Sequence, residues 1–198
     1  MRLFHSPTTP FGRKVMVLLL ETGLQGRVEV LTAGGTPVAP GTMPVEHNPL
    51  GKIPVLVRDD GMALYDSRVI CRYLDDLAGA GLYGTGDALW HTLTLESTAD
   101  GMMDAAILMV YEERVRPEDK RFSVWVEGQW AKVARALDML EGRPMGSLDM
   151  GQLALACALS YLDFRHDGRN WRKGRPRLAN WEAAMAARPS MLATRPPV

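Results

Sequence analysis

The chain is poor in cysteine, has no long apolar run and carries no excess charge of either sign, and each lack closes off a class of function. Two cysteines, Cys71 and Cys157, occur in 198 residues. They are far apart, sit in apolar helical patterns and belong to no CxxC or His-spaced zinc pattern, so a disulfide scaffold and a zinc module are excluded and both are expected to be reduced and structural. No metal is expected. No apolar stretch approaches the ~18 residues that a membrane-spanning helix needs. The opening residues, Met1-Arg2-Leu3-Phe4-His5-Ser6-Pro7, lack the apolar segment and cleavage site of a secretory signal, which makes the cytoplasm the expected location and a membrane partner unexpected. Twenty-three Lys and Arg balance twenty-three Asp and Glu. That balance removes the basic footprint of a nucleic-acid-binding protein and favours a small-molecule or protein partner. The four histidines, His5, His47, His91 and His166, are scattered and receive no role.

What is present reads as two kinds of structure in succession. Arg2-Leu3-Phe4-His5 is a short strand broken by Ser6-Pro7, Phe11 to Thr22 has helical apolar spacing stopped by Gly23, and Val28-Glu29-Val30-Leu31 alternates as a second strand. A strand, helix and strand in this order favour a parallel pair with a helical crossover. Residues 34–49 are rich in Gly and Pro, which leaves room for a loop and at most one short helix. Pro54-Val55-Leu56-Val57 and Met62-Ala63-Leu64-Tyr65 flank the turn signal Asp59-Asp60-Gly61 and predict an antiparallel hairpin, so the sheet is mixed and four-stranded. Ser67 starts a helix carrying Val69, Ile70, Tyr73, Leu74 and Leu77, and the first domain closes near Ala78.

Residues 79–86, with four glycines, are the expected linker, because no strand or hairpin signal recurs beyond them. The region 87–198 is predicted to be all-helical. Leu89, Leu93, Met102, Ala106, Met109 and Val110 make one stripe over Asp87–Arg114, a second helix is expected from about Glu118 to Leu140, and Pro117 separates the two. Asp149-Met150-Gly151-Gln152 has capping-box spacing, with Asp149 covering a helix amide and Gln152 reaching back, ahead of a buried helix from Leu153 to Phe164. A last helix is expected over Arg177 to Ala187, ended by Arg188-Pro189.

Three segments carry a resemblance. Ser6-Pro7-Thr8-Thr9-Pro10-Phe11-Gly12-Arg13-Lys14-Val15 is similar to the first-strand-to-first-helix segment of bacterial glutathione S-transferases. Asn48-Pro49-Leu50-Gly51-Lys52-Ile53-Pro54-Val55-Leu56 resembles the loop before the third strand in that superfamily, and Leu64-Tyr65-Asp66-Ser67-Arg68-Val69-Ile70 its acidic-Ser helix start. In the helical half, Gln152 to Leu159 and Trp181 to Ser190 resemble further landmarks, so the likeness spans nearly the whole chain. It implies a thioredoxin-like α/β domain over residues 1–78 followed by an all-helical domain over 87–198. It also implies a cytosolic homodimer that uses glutathione as co-substrate in detoxification chemistry.

Glutathione has a zwitterionic γ-glutamyl end, a peptide middle and a glycyl carboxylate, and the resemblance distributes these over named residues. Ser67, at a helix start that favours anions, would meet the γ-glutamyl carboxylate, and Asp66 would accept from the ammonium. By themselves these two residues also read as a plain helix cap. The resemblance further implies a cis Ile53-Pro54 peptide whose Ile53 backbone pairs with the cysteinyl unit, and Lys52 is placed to meet the glycyl carboxylate or to be a solvated surface lysine. The sulfur needs a donor that stabilises its thiolate. Thr9 is the expected donor and Thr8 the alternative, against a reading in which both threonines only cap the following helix. The segment lacks cysteine, which favours conjugation or thiolate-assisted chemistry over disulfide exchange, while the extra methyl of threonine restricts the rotamers open to its hydroxyl. Phe11 of the first domain with Met103, Ile107 and Tyr111 of the long helix is the expected site for a small apolar electrophile, although Met and aromatic residues at such spacing also read as core. The competing functions are a carrier that binds glutathione without turnover and a partner-binding module of the same fold. The latter predicts damage at Ile53-Pro54 or Asp66-Ser67, and neither motif is damaged.

Overall fold

The computed structural model describes residues 1–197 and divides the chain into two compact units. The first holds residues 1–86 together with the segment from Pro189 onward, and the second holds Asp87–Arg188.

In the first unit, β1 (Arg2–His5), α1 (Pro10–Glu21) and β2 (Glu29–Thr32) make the expected strand-helix-strand opening. β1 and β2 pair in parallel, with Leu3 opposite Val30. β3 (Val55–Val57) and β4 (Ala63–Leu64) form the expected hairpin, and the sheet order is β2-β1-β3-β4. The hairpin turn uses the signal read from sequence: Gly61 N donates to Arg58 O at 3.0 Å and Met62 N to Asp60 Oδ1 at 3.1 Å. α2 (Ser67–Ala78) packs on α1 and on β3. Leu3, Val15, Leu18, Leu56, Ile70 and Leu74 are fully buried. The core of this unit therefore comes from the apolar positions that define its elements.

Residues 79–86, expected as a linker, fold onto this unit because the buried Asp75 carboxylate accepts from Leu82 N at 2.8 Å and Tyr83 N at 3.4 Å. The far end of the chain also returns to it. Helix α6 (Pro176–Ala186) ends near Arg188-Pro189 as expected, but a further short helix α7 (Pro189–Ala193) follows and packs on α1. The expected second domain ran to residue 198. The tail instead joins the first unit, held by Arg13 Nη2 donating to Met191 O at 3.0 Å and by Ser190 Oγ donating to Glu21 Oε1.

The second unit is helical. α3 (Asp87–Arg114) has the predicted bounds and packs on α4 (Ser123–Glu141) and α5 (Met150–His166), while α6 packs on α4 and α5. On α3, Met102, Ala106, Met109 and Val110 are buried as the stripe predicts, but nearer its start the buried positions are Thr92, Leu95 and Glu96 rather than Leu89 and Leu93. The helix expected from Glu118 begins later, at Ser123, after a single 3-10 turn at Glu118–Lys120. The cause lies in α3: Arg121 Nη2 donates to Glu113 O at 2.7 Å and Phe122 N to Glu112 Oε1 at 2.9 Å, which holds 121–122 extended across the end of that helix. The predicted capping box is half present. Asp149 Oδ1 accepts from Gln152 N at 2.7 Å, but the Gln152 amide donates to Ser147 O at 2.5 Å instead of to the cap residue. Behind that cap every residue from Met150 to Leu159 is buried, as a central helix requires. Cys71 and Cys157 are buried and remain thiols. Among the described residues no helix is long and apolar enough to cross a membrane.

Candidate functional site

Strand register gathers the three sequence motifs at one end of the first sheet. β1 runs antiparallel to β3 with Phe4 opposite Val55, so the segment leaving β1 (Ser6 to Thr9) and the segment entering β3 (Ile53-Pro54) emerge at the same end. β3 pairs with β4 with Leu56 opposite Leu64, so Tyr65, Asp66 and Ser67 leave β4 at that end too. Topology alone thus assembles Thr8, Thr9, Ile53, Pro54, Asp66 and Ser67 from positions nearly sixty residues apart.

Each motif is held by local bonds. The Ser6–Thr9 turn closes through Thr9 N donating to Ser6 O at 3.0 Å. The Thr8 and Ser6 hydroxyls lie 3.1 Å apart and hydrogen-bond to each other. Thr9 is the N-cap of α1 by position, with extended φ −93° and ψ 127°, yet its side chain makes no capping bond. Proline at the first helical position has no amide, so the helix start carries one unpaired donor fewer. The threonines therefore do not cap the helix with their side chains, and Thr9, half-buried, keeps a hydroxyl available at the helix N-terminus.

The second motif is shaped by Asn48, which is buried. Its Nδ2 donates to Lys52 O at 2.9 Å and its Oδ1 accepts from Leu50 N at 3.1 Å. Gly51 N donates back to Asn48 O at 2.9 Å, and Gly51 has φ 60°, a left-handed conformation in which a side chain is strained. This turn delivers an exposed Lys52, a half-exposed Ile53 and a buried Pro54. The Ile53-Pro54 peptide is cis, as the resemblance implies, and Tyr65-Asp66 is cis as well.

At the third motif Asp66, not Ser67, is the N-cap of α2: its Oδ1 accepts from Arg68 N at 3.0 Å and its Oδ2 from Arg68 Nη2 at 2.9 Å. Ser67 occupies the first helical position and is only 2% exposed. Its amide is among those at a helix start that lack an intrahelical partner.

This arrangement can be compared with known proteins. The model of the glutathione S-transferase N-terminal domain matches residues 8–77, and that of the C-terminal domain matches residues 123–184. The uncharacterised GST-like protein YibF of Escherichia coli K12 is 33% identical across 100% of this chain and 99% of its own length. The chain belongs to the glutathione S-transferase family. Among solved structures, a glutathione transferase family member from Pseudomonas fluorescens Pf-5 with bound glutathione is 47% identical, covers 100% of this chain and 99% of its own, and superposes with a TM-score of 0.96. A glutathione S-transferase from Methylobacillus flagellatus, with glutathione bound, is 36% identical over 99% of both chains with a TM-score of 0.85.

In this member of the family the charge at the third motif is set locally. Burial works against ionisation of Asp66, but hydrogen bonds from the Arg68 side chain and amide, together with the charges of Arg68 and Lys14, hold its carboxyl below the usual range. Lys14 is fully buried on α1, a position that its polarity does not suggest from sequence. Two further residues went unassigned in the sequence. His5, at the end of β1, is 9% exposed, and burial lowers its pKa more than a hydrogen bond to the Ser6 backbone raises it. Asn48 had a legible signal, since Asn before Pro and two residues ahead of a backbone donor is Asx-turn chemistry. Of the residues expected to meet an electrophile, Phe11 is half-exposed on α1 in the first unit. Met103 on α3 of the second unit is fully buried, whereas Ile107 and Tyr111 are half-exposed there.

Proposed function

We propose that this protein binds glutathione at the sheet end formed by Ser6–Thr9, Lys52–Pro54 and Asp66-Ser67 and stabilises its thiolate through the Thr9 hydroxyl. The observation that carries the reading is the division of labour between adjacent threonines: Thr8 is hydrogen-bonded to Ser6, while Thr9 stands at the N-terminus of α1 without a capping bond. A hydroxyl donor there, reinforced by the positive end of the helix dipole, favours thiolate over thiol. Ser67 and the start of α2 receive the γ-glutamyl carboxylate, ionised Asp66 accepts from the ammonium, the Ile53 backbone pairs with the cysteinyl unit and Lys52 meets the glycyl carboxylate. Relatives at 47% and 36% identity hold glutathione in their structures, which supports the ligand.

The thiol proton passes to solvent, and the thiolate attacks a small apolar electrophile. A carbon–sulfur bond forms as the leaving group departs with its electron pair. With a peroxide as acceptor, the sulfur attacks one oxygen, the O–O bond breaks with the other oxygen leaving as alcohol or water after protonation, and a second glutathione reduces the resulting sulfenic acid to give disulfide and water.

The test is the absorbance of glutathione thiolate against pH in the bound state, for the parent, Thr9→Ala and Thr8→Ala proteins, with turnover of an aromatic electrophile followed in parallel. Thr9→Ala raises the thiol pKa and slows turnover while affinity for glutathione changes little. A larger effect from Thr8→Ala moves the role to that residue. No effect from either leaves the hydroxyl mechanism wrong.

A further inference from the structure

Gly12 lies in the first turn of α1, facing the end of β1. A Cβ placed on Gly12 would sit 2.8 Å from Thr9 Cγ2 and 3.0 Å from both Cβ and Nδ1 of His5. Carbon atoms in contact normally keep about 3.5–4.0 Å, so the Thr9 methyl group occupies the space that a side chain at position 12 would need. The far wall of this slot is His5, buried at the end of β1. The Cβ of His5 belongs to a strand end and cannot swing away, so the Thr9 methyl is the movable member of the three.

Threonine carries its methyl and hydroxyl on one carbon, about 120° apart, in one of three staggered wells. Placing the methyl therefore places the hydroxyl. We infer that Gly12 is a positioning residue: by leaving a slot against His5 for the Thr9 methyl, it holds the χ1 angle that turns the Thr9 hydroxyl toward the site. The absence of a capping bond by that hydroxyl agrees with a rotamer chosen by the methyl rather than by the helix amides. Threonine at position 9 and glycine at position 12 are then a coupled pair. Serine at 9 has no methyl to displace, so a Cβ at 12 then meets only His5, at 3.0 Å. The inference rests on the reading of Thr9 as the thiol donor.

The experiment uses the whole protein as parent, G12A, T9S and the double variant. Two quantities are read: the pKa of the bound glutathione thiol by thiolate absorbance, and χ1 of Thr9 in the parent and G12A from three-bond couplings to its methyl carbon. G12A is expected to move Thr9 χ1 to another well and to raise the thiol pKa by about 0.5 unit or more, roughly threefold in thiolate stability. On the T9S background the same substitution meets only His5 and is expected to shift the pKa by clearly less than it does in the parent, as coupling through the methyl requires. An unmoved χ1 overturns the proposal, as does an equal pKa rise on both backgrounds, which marks general distortion of the loop. A moved χ1 with an unmoved pKa also overturns it, and Thr9→Ala then separates the two failures. If Thr9→Ala raises the pKa, only the role of Gly12 is lost; if it does not, the hydroxyl reading of the site falls too. Should G12A be insoluble, recovery of folded protein by T9S supports the clash, and failure of that rescue counts against it.

Discussion

The hydroxyls of Thr8 and Ser6 stand 3.1 Å apart, within one turn between β1 and α1. This bond ties Thr8 to the loop. Thr8→Ala is expected to lower stability by about 0.5–1.5 kcal/mol, as loss of one ordinary hydrogen bond does, and to leave the pKa of bound glutathione unmoved. Urea denaturation beside the thiolate titration checks both halves.

Ser67 is expected to carry affinity rather than reactivity. Ser67→Ala removes a hydroxyl from the receptor for the γ-glutamyl carboxylate and should weaken glutathione binding by about 1–3 kcal/mol in calorimetry. Unchanged affinity would take the carboxylate away from the start of α2.

Stability should fall as the solution is made mildly acidic. Burial is the main cause that places the pKa of both His5 and His166 below the ordinary 6.5, and hydrogen bonds to the Ser6 and Ala106 backbones pull the other way without overcoming it. The folded state then binds fewer protons than the unfolded state between the lowered values and 6.5, so this stability is present above pH 6.5 and is lost as pH falls through the folded values. Each histidine adds a slope of at most about 1.4 kcal/mol per pH unit. Urea midpoints at pH 7.5, 6.5 and 5.5 measure it, and His166→Gln should flatten the curve.

The cap of α5 is a local stability element of the second unit. Asp149→Ala deletes the acceptor that lies 2.7 Å from Gln152 N and should cost about 0.5–2 kcal/mol in urea denaturation. Asp149→Asn, which retains an acceptor, should recover most of it.

A homodimer is expected from the family likeness. Light scattering should give twice the 21.9 kDa chain mass, and a monomer persisting at high concentration would oppose it.

Much of the architecture could be read from short-range pattern. A short run broken by Ser6-Pro7 marked β1, alternation marked β2, Asp59-Asp60-Gly61 marked the hairpin, and the 3.6-residue period with Pro117 beyond it marked α3 from Asp87 to Arg114. Those signals act within a few residues, where chain geometry couples side chain to backbone directly. The three site motifs were legible for the same reason, each being a compact local segment. Their convergence required only strand pairing, which the order of the elements already implied.

What the folded structure decided lies where a group finds a partner other than the one that local pattern assigns it. Gln152 left its expected capping partner for Ser147 O, and Phe122 stayed out of α4 because Glu112 accepts its amide. The tail from Pro189 joined the first unit because buried Arg13 bonds Met191 O, 178 residues away. At the candidate site, sequence alone made Thr9 the expected donor and Thr8 the alternative, and the bond between the Thr8 and Ser6 hydroxyls is a feature that only the structure shows. Gly12 beside His5 and Thr9 gave no sign in the sequence, because its role is the absence of a side chain where two others meet. Local pattern determines which elements form and which residues flank them. The space beside Gly12, lined by His5 and the Thr9 methyl, exists only once β1 and α1 have packed.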